Sequence, residues 1–301
     1  MITLMRTLWD YIIMLIGTLG SLASIIALSV FFKQLSTEGW IAVLFMGVIC
    51  VYFVVYNFLL LTRYRKKTKY ADAYAAINVG FSHLHKLRRV DKLTIDQILP
   101  ALEKLCDEVS HAFSKIYGGE IGICIKFIVN DNGRPRCQTL VRDSNSNAQS
   151  RKSGSQDTTK HWIDANSDFE FIYNNFDDDN EETSYYLEQH LPTCLDYKNT
   201  RLKMGWKPKS FFLYPERYAR KWNWPLWYKS TLIVPIVPLI ANDQSQEAIR
   251  GFLCADSRSE GIFNKYYDVD ILKGVADGIY NQIDLIHQLT IKETKAGKDG
   301  D

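Results

Sequence analysis

The sequence predicts an α+β protein in two parts: an N-terminal two-helix transmembrane hairpin, then a cytosolic domain built from an antiparallel sheet flanked by helices. Three observations predict it. Charge is nearly absent before Arg63, where only Arg6, Asp10, Lys33 and Glu38 occur. Five cations then follow together, Arg63, Arg65, Lys66, Lys67 and Lys69. The remainder is mildly acidic and alternates helical periodicity with strand-type patterning. With 36 Lys+Arg against 34 Asp+Glu and 47% hydrophobic residues in 301, the chain is neither disordered nor collagen-like, and no duplex nucleic acid is expected as a partner.

Residues 1–62 read as the hairpin, with spans at 11–32 and 40–62. Both runs are free of charge, and at about 1.5 Å per helical residue each crosses a hydrocarbon core of roughly 30 Å. A cleaved signal peptide is the alternative for the first run, but its apolar stretch is too long, no small-x-small cleavage site follows, and a second span comes at once. Lys33 to Gly39 leaves room only for a tight turn, so both ends lie on one side. The basic collar outweighs the single Lys33 of the turn, which places both termini in the cytoplasm and the chain in an inner or plasma membrane, with the lipid bilayer as its first partner. Trp9, Trp40 and Tyr64 sit where interfacial aromatics belong. In the first span Gly17 with Ser21, and Gly20 with Ser24, form small-x-x-x-small pairs that serve helix packing, either inside the hairpin or between copies in a homo-oligomer. Cys106, Cys124, Cys137, Cys194 and Cys254 are scattered through the body without a C-x-x-C pair, so neither a disulfide framework nor a zinc site is indicated.

Residues 63–93 form the collar and a connecting helix. Ala73, Ile77, Phe81, Leu84 and Leu87 follow helical steps of three and four, a stripe that either pairs with a second copy or packs on the body. A second helix starts near Thr94, where Thr94 and Gln97 have capping-box spacing, and closes at Gly118-Gly119; Pro100 means that it either begins just before that residue or is kinked there. Ile121 to Val129 alternates as a half-buried strand, Asn130-Asp131-Asn132-Gly133 turns the chain, and Arg136 to Arg142 returns as its partner. Ser144 to Lys160 is polar and reads as a mobile loop. Ser230 to Ile240 is a strand whose Pro235 and Pro238 require an edge or a bulge. Ile249 to Ser257 is its neighbour across the polar loop 241–248, and Val269 to Ile286 defines a long amphipathic helix before a polar tail, residues 291–301.

This order of helix, two strands, variable middle, two strands and helix resembles the GAF domain family of small cytosolic sensory modules. The resemblance is strongest in Ser230-Thr231-Leu232-Ile233-Val234-Pro235-Ile236, in Gly251-Phe252-Leu253-Cys254-Ala255-Asp256-Ser257, and in Phe263 ahead of Asp268 and the final helix. It spans residues 94–290 and implies a GAF-like domain with a ligand-sensing role. The middle, Trp162 to Trp227, is longer than a compact member needs. Asn264-Lys265-Tyr266-Tyr267-Asp268 is too compressed for the cyclic-nucleotide signature of the family, and Cys194 is followed by Leu195 where bilin-binding members have His. No cofactor is therefore assigned.

Catalytic chemistry is not indicated. His83 and His85 point to different helix faces, and His111, His161, His190 and His287 lack metal-ligand spacing. No phosphate loop or nucleophile elbow occurs. The run Asp177-Asp178-Asp179-Asn180-Glu181-Glu182 lacks the glycine of a calcium loop and reads as solvated. The aromatic-basic stretch from Lys203 to Lys229 either stacks a nucleotide-like ligand, lies on an anionic membrane, or covers the sheet with buried tryptophans.

A ligand pocket between sheet and middle segment is expected to be bounded by Lys126, Arg142, Tyr197 and Ser230, since Lys126 is out of phase with the apolar face of its strand and Arg142 ends the partner strand at a similar level. The chain then reads as a membrane-anchored sensor that binds a small molecule or partner and signals through the connecting helix. Two alternatives stand beside it. One is a ligand-triggered, two-span membrane effector of the bacterial immune type; the other is a membrane scaffold that senses nothing.

Overall fold

The computed structural model describes residues 17, 20, 23, 24, 37–90, 92–148, 159–176, 183–202, 216–238 and 248–298, in two units, Met1–Thr68 and Lys69–Asp301. Most of the first span, including Ser21, lies outside the described residues, as do the acidic run 177–182 and residues 203–215 of the aromatic-basic stretch. Gly17, Gly20 and Ser24 are helical and exposed, and the Ser24 hydroxyl donates to the Gly20 carbonyl at 2.8 Å.

The first unit consists, as described, chiefly of the opening turns of helix α1, Thr37–Leu87. Among the described residues this is the one helix long and apolar enough to cross a membrane, with a mean hydropathy of 2.4 over its most apolar window and none of that window buried. Polar residues within it turn inward on their own backbone. Asn57 donates to the Phe53 carbonyl and Thr62 to that of Leu59, each at 2.8 Å, which satisfies the Thr62 hydroxyl donor and one of the two Asn57 amide donors within the helix. The helix begins at Thr37 and continues unbroken through the collar, where Arg63 and Lys67 are exposed and Arg65 is half-buried; the Lys66 side chain lies outside the described residues.

The second unit takes in the last turns of α1. Ala73, Ile77 and Leu84 of the predicted stripe are buried there, so the connecting helix packs on the body. Lys69 adds a cap, donating at 3.2 Å to the Ile116 carbonyl in the last turn of helix α2, Ile95–Tyr117, where helix carbonyls lack partners. At the start of α2 the Gln97 side chain accepts the Thr94 N–H at 3.2 Å. Pro100 lies inside the helix, which starts at Ile95. Gly118 closes α2 in the left-handed conformation, φ 74°, its N–H bonding to the Ser114 carbonyl at 2.7 Å.

Strand β1, Ile121–Asp131, and strand β2, Arg134–Arg142, are joined by Asn132-Gly133, both at positive φ as a two-residue hairpin requires. Where a loop was expected, a short helix α3 forms at Ser144–Ala148, because Asp143 caps it by accepting the Ser146 N–H at 2.9 Å. The long middle contributes strand β3, His161–Trp162, helix α4, Ser167–Asn175, strand β4, Tyr186–Glu188, and helix α5, Glu216–Trp222. Strand β5, Ser230–Ile236, strand β6, Gly251–Ser257, and helix α6, Tyr267–Lys298, complete the chain; α6 runs past Thr290, where a polar tail was expected to begin.

All strand pairs are antiparallel, in the order β3-β2-β1-β6-β5-β4. Pro235 pairs with Phe252 on one side, while β4 covers only Thr231 to Ile233 on the other, so the proline has a strand neighbour on one side alone, as its missing N–H demands. One face of the sheet, with Ile121, Ile123, Ile125, Leu232, Val234 and Leu253, packs under α2, α6 and the end of α1. Each fully buried Leu, Ile or Phe in such a layer contributes roughly 1.5–3 kcal/mol. A buried carboxylate ties the three helices together: Asp268 in α6 accepts from Tyr70 of α1 at 3.2 Å and from Tyr117 of α2. The opposite face, with Cys124, Ile233, Phe252 and Cys254, is covered by the middle segment, and Lys126, Arg142 and Asp168 are buried there.

Candidate ligand-binding cavity

An irregularity in β2 shapes the site. Lys126 pairs with Thr139 but Ile125 with Val141, so Leu140 is an extra residue, a β-bulge. Strict alternation would send Thr139 and Arg142, three residues apart, to opposite faces. The bulge turns both to the face that carries Cys124 and Lys126. The Thr139 hydroxyl oxygen accepts from Lys126 Nζ and from Arg142 Nη2, each at 3.2 Å. Lys126 is 8% exposed and Arg142 2%.

The cover supplies the opposing groups. Asp168, in the first turn of α4, accepts the Phe169 N–H at 2.9 Å through one oxygen and the Tyr197 hydroxyl at 3.0 Å through the other. The Tyr197 and Tyr228 hydroxyls are 3.2 Å apart, and the Asn199 amide donates to both, at 3.1 and 3.0 Å. Asn166 precedes α4 and ties this turn to the later chain by accepting the Thr200 N–H at 2.9 Å. Phe169 stacks at a tilt on Phe252 of the sheet, 4.9 Å between centroids, which fixes the depth at which Asp168 sits. On the floor Asp256 accepts from the Thr231 hydroxyl at 2.9 Å.

Lys126, Arg142, His161, Asp168, Tyr228 and Asp256 thus line one cavity of about 30 Å³ among the described residues. That volume holds a few atoms, against the roughly 300 Å³ or more of a pocket for a drug-sized ligand. Burial pushes the Asp168 carboxyl up to about 6, opposed by the bonds from Phe169 and Tyr197. It also pushes the Tyr197 phenol up, with Asp168 adding to the effect. Cys124 and Cys254 face one another across β1 and β6; the Cys254 thiol, Arg142 and Lys126 favour the thiolate of Cys124, while burial pushes Cys254 up.

Of the residues expected from sequence, Lys126 and Arg142 line the cavity and Tyr197 acts on it through Asp168. Ser230 does not reach it: at the start of β5 it pairs with Ser257 and donates to the Ser259 carbonyl at 2.8 Å. Its position at the strand start, one residue off the phase of Thr231 and Ile233, puts it out of reach. Thr139, Asp168 and Asp256 were missed; Asp168 had one local signal, an acidic residue in the first turn of a helix. The aromatic stretch divides. Trp222 is 69% exposed, Tyr228 lines the cavity, and Trp227 stacks beneath the Arg258 guanidinium at 4.8 Å.

No family model matches this chain, and no curated protein matches it. Among solved structures the chain is similar to the chromophore-binding domain of a bacteriophytochrome from R. palustris, at 10% identity and a TM-score of 0.39 over 73% of this chain and 62% of that one. It is also similar to the GAF domain of an Acinetobacter phosphoenolpyruvate-protein phosphotransferase, at 9% identity and a TM-score of 0.34 over 69% of this chain and 97% of that one. The GAF domain of PixJ from Thermosynechococcus elongatus stands at 11% identity and a TM-score of 0.34, over 66% of this chain and 94% of that one. At that level of similarity neither a ligand nor an activity transfers to this chain.

Proposed function

We propose that this chain is a membrane-anchored sensor whose cytosolic body binds a small molecule in the cavity over the sheet and signals through the connecting helix, without chemistry of its own. The observation that supports this reading is the set of groups brought together there. Burying an ammonium, a guanidinium and carboxyls around one space costs more than an apolar core of the same shape would, so their presence favours a ligand that engages them. The Tyr70–Asp268–Tyr117 contact supports the output, because it couples the last turns of α1 to the helices that cover the other face of the same sheet.

The test is native mass spectrometry of the full chain purified in detergent, followed by release of bound small molecules. A species carried by the wild type and absent from Arg142→Leu and Asp168→Leu is expected; an empty wild type whose thermal stability no cell extract raises would sink the proposal. The unbroken course of α1 from the apolar segment into the body also favours the effector reading, in which ligand-driven assembly makes the spans perturb the membrane. Expression with and without residues 1–62 separates the two, since only the effector predicts toxicity that depends on the spans.

A further inference from the structure

We propose that Cys124 and Cys254 form a dithiol site that a small hydroperoxide oxidises to a disulfide, giving the body an input separate from ligand binding. The inference goes beyond the ligand-binding reading: the two thiols are consumed once per oxidation event, and no turnover is involved.

Strand register brings the two sulfurs together. Cys124 of β1 is the direct cross-strand partner of Cys254 of β6, and both side chains lie on the covered face of the sheet. Residues directly opposed in an antiparallel pair have Cα atoms about 4.5–5.5 Å apart, inside the roughly 4.4–6.8 Å that a disulfide spans, so the backbone already has the spacing the bond needs. The Cys254 thiol hydrogen-bonds the Cys124 sulfur. That bond, and after it Arg142 and Lys126, favour the thiolate of Cys124 against burial and against Asp256, whereas burial pushes the Cys254 thiol up. One sulfur is thereby prepared as the nucleophile while its neighbour keeps a proton to give away. Both sulfurs line the cavity of about 30 Å³. Cations and carboxyls both occur in its walls, so an uncharged guest of a few atoms that donates and accepts hydrogen bonds suits it, and hydrogen peroxide or a small alkyl hydroperoxide is such a guest.

The Cys124 thiolate attacks one peroxide oxygen. The S–O bond forms, the O–O bond breaks, and the other oxygen leaves as water or alcohol with the proton that Cys124 gave up. The Cys254 sulfur then attacks the sulfenic acid on Cys124: the S–S bond forms, the S–O bond breaks, and the hydroxyl leaves as water with the Cys254 proton. Each sulfur loses one electron and each peroxide oxygen gains one.

The test treats the reduced full chain in detergent with an equimolar amount of hydrogen peroxide, alkylates the remaining thiols after denaturation, and maps them by mass spectrometry. A peptide link between Cys124 and Cys254 is expected, with Cys106 and Cys137, which lie outside the cavity lining, recovered as thiols. Cys254→Ser should stop at the sulfenic acid on Cys124, trapped by dimedone; Cys124→Ser should leave Cys254 reduced, and Cys137→Ser should react as the wild type does. A thiol of ordinary pKa is only a few per cent ionised near neutral pH, so Cys124 should react about tenfold or more faster than the half-buried Cys194, whose thiol burial pushes up. Oxidation spread evenly over the cysteines, no oxidation of Cys124, or a link that forms only after denaturation overturns the proposal. Should a serine variant fail to fold, the link in the wild type and the order in which its thiols disappear decide the outcome. The measurement needs no ligand, so its failure leaves the sensor reading standing, and a wild type that carries no small molecule leaves the dithiol site standing.

Discussion

A carboxyl group sealed from water favours its protonated form, and Asp168, at 2% exposure, is held at about 6 against an ordinary 3.8. The folded state therefore binds this proton more tightly than the unfolded chain does. Its contribution to stability is fullest below pH 4 and is lost as pH rises from about 4 to about 6, amounting to roughly 3 kcal/mol at most. Asp168→Asn keeps an oxygen for the Phe169 N–H and carries no charge to bury. We expect it to be more stable than wild type at pH 8, with the advantage shrinking as pH falls from 6 to 4. Paired thermal melts across that range check this, and a difference that does not vary with pH would count against the assignment. Glycine 251 is a second case in which one residue decides. A Cβ there would stand 2.1 Å from the Lys126 carbonyl oxygen, a backbone atom that cannot yield without moving β1. Gly251→Ala should cost roughly 3 kcal/mol as overpacking, whereas Gly119→Ala, which meets nothing within 4 Å, should be close to neutral. Chemical denaturation of both variants in the full chain measures the contrast, and equal effects would refute it.

At the scale of elements, the bulge and the connecting helix do different work. The bulge at Leu140 converts an alternating hairpin into one that presents Thr139 and Arg142 on a single face, so the cationic corner is a property of strand register and not of either residue alone. The last turns of α1 are held by close packing: a Cβ on Gly80 would lie 2.7 Å from Leu105, and one on Gly278 of α6 would meet the Phe81 ring at 2.4 Å. The Leu105 side chain packs on the Gly80 backbone, with the Leu105 Cα itself 3.3 Å from where a Cβ would stand, which leaves little room for a larger residue. Gly80→Leu should therefore release these turns from α2, with faster amide exchange over residues 70–87 while exchange in the β1–β6 core stays slow. Unchanged exchange over 70–87 would show that the glycine is dispensable.

For the whole molecule, the charge distribution makes a prediction about topology. The five cations after the second apolar run, against one in the turn before it, predict cytoplasmic termini. A reporter cysteine at Ser36 should be reached by an impermeant thiol reagent from outside intact cells, and one in the C-terminal tail should not. Labelling of the tail with Ser36 silent would reverse the assignment.

Patterning that depends on near neighbours along the chain was legible in the sequence. The capping box at Thr94, the end of α2 at Gly118, the Asn132-Gly133 turn, the apolar helix and the phase of Lys126 all follow from the backbone geometry of a few adjacent residues. Even the one-sided pairing of β5 followed from a proline that lacks an N–H. Tertiary structure decided what depends on distant partners. Strands β3 and β4 are two and three residues long, too short for alternation to mark them, and exist because an edge of the sheet was there to pair with. The Leu140 bulge leaves no trace in composition, yet it decides which way Arg142 faces. Asp168 comes to the cavity by the way the middle segment folds over the sheet, whereas Ser230 is kept from it by its phase in β5. A buried charge is an expense that only the complete set of surrounding groups can explain, which is why the cationic corner emerges from the fold and not from any motif.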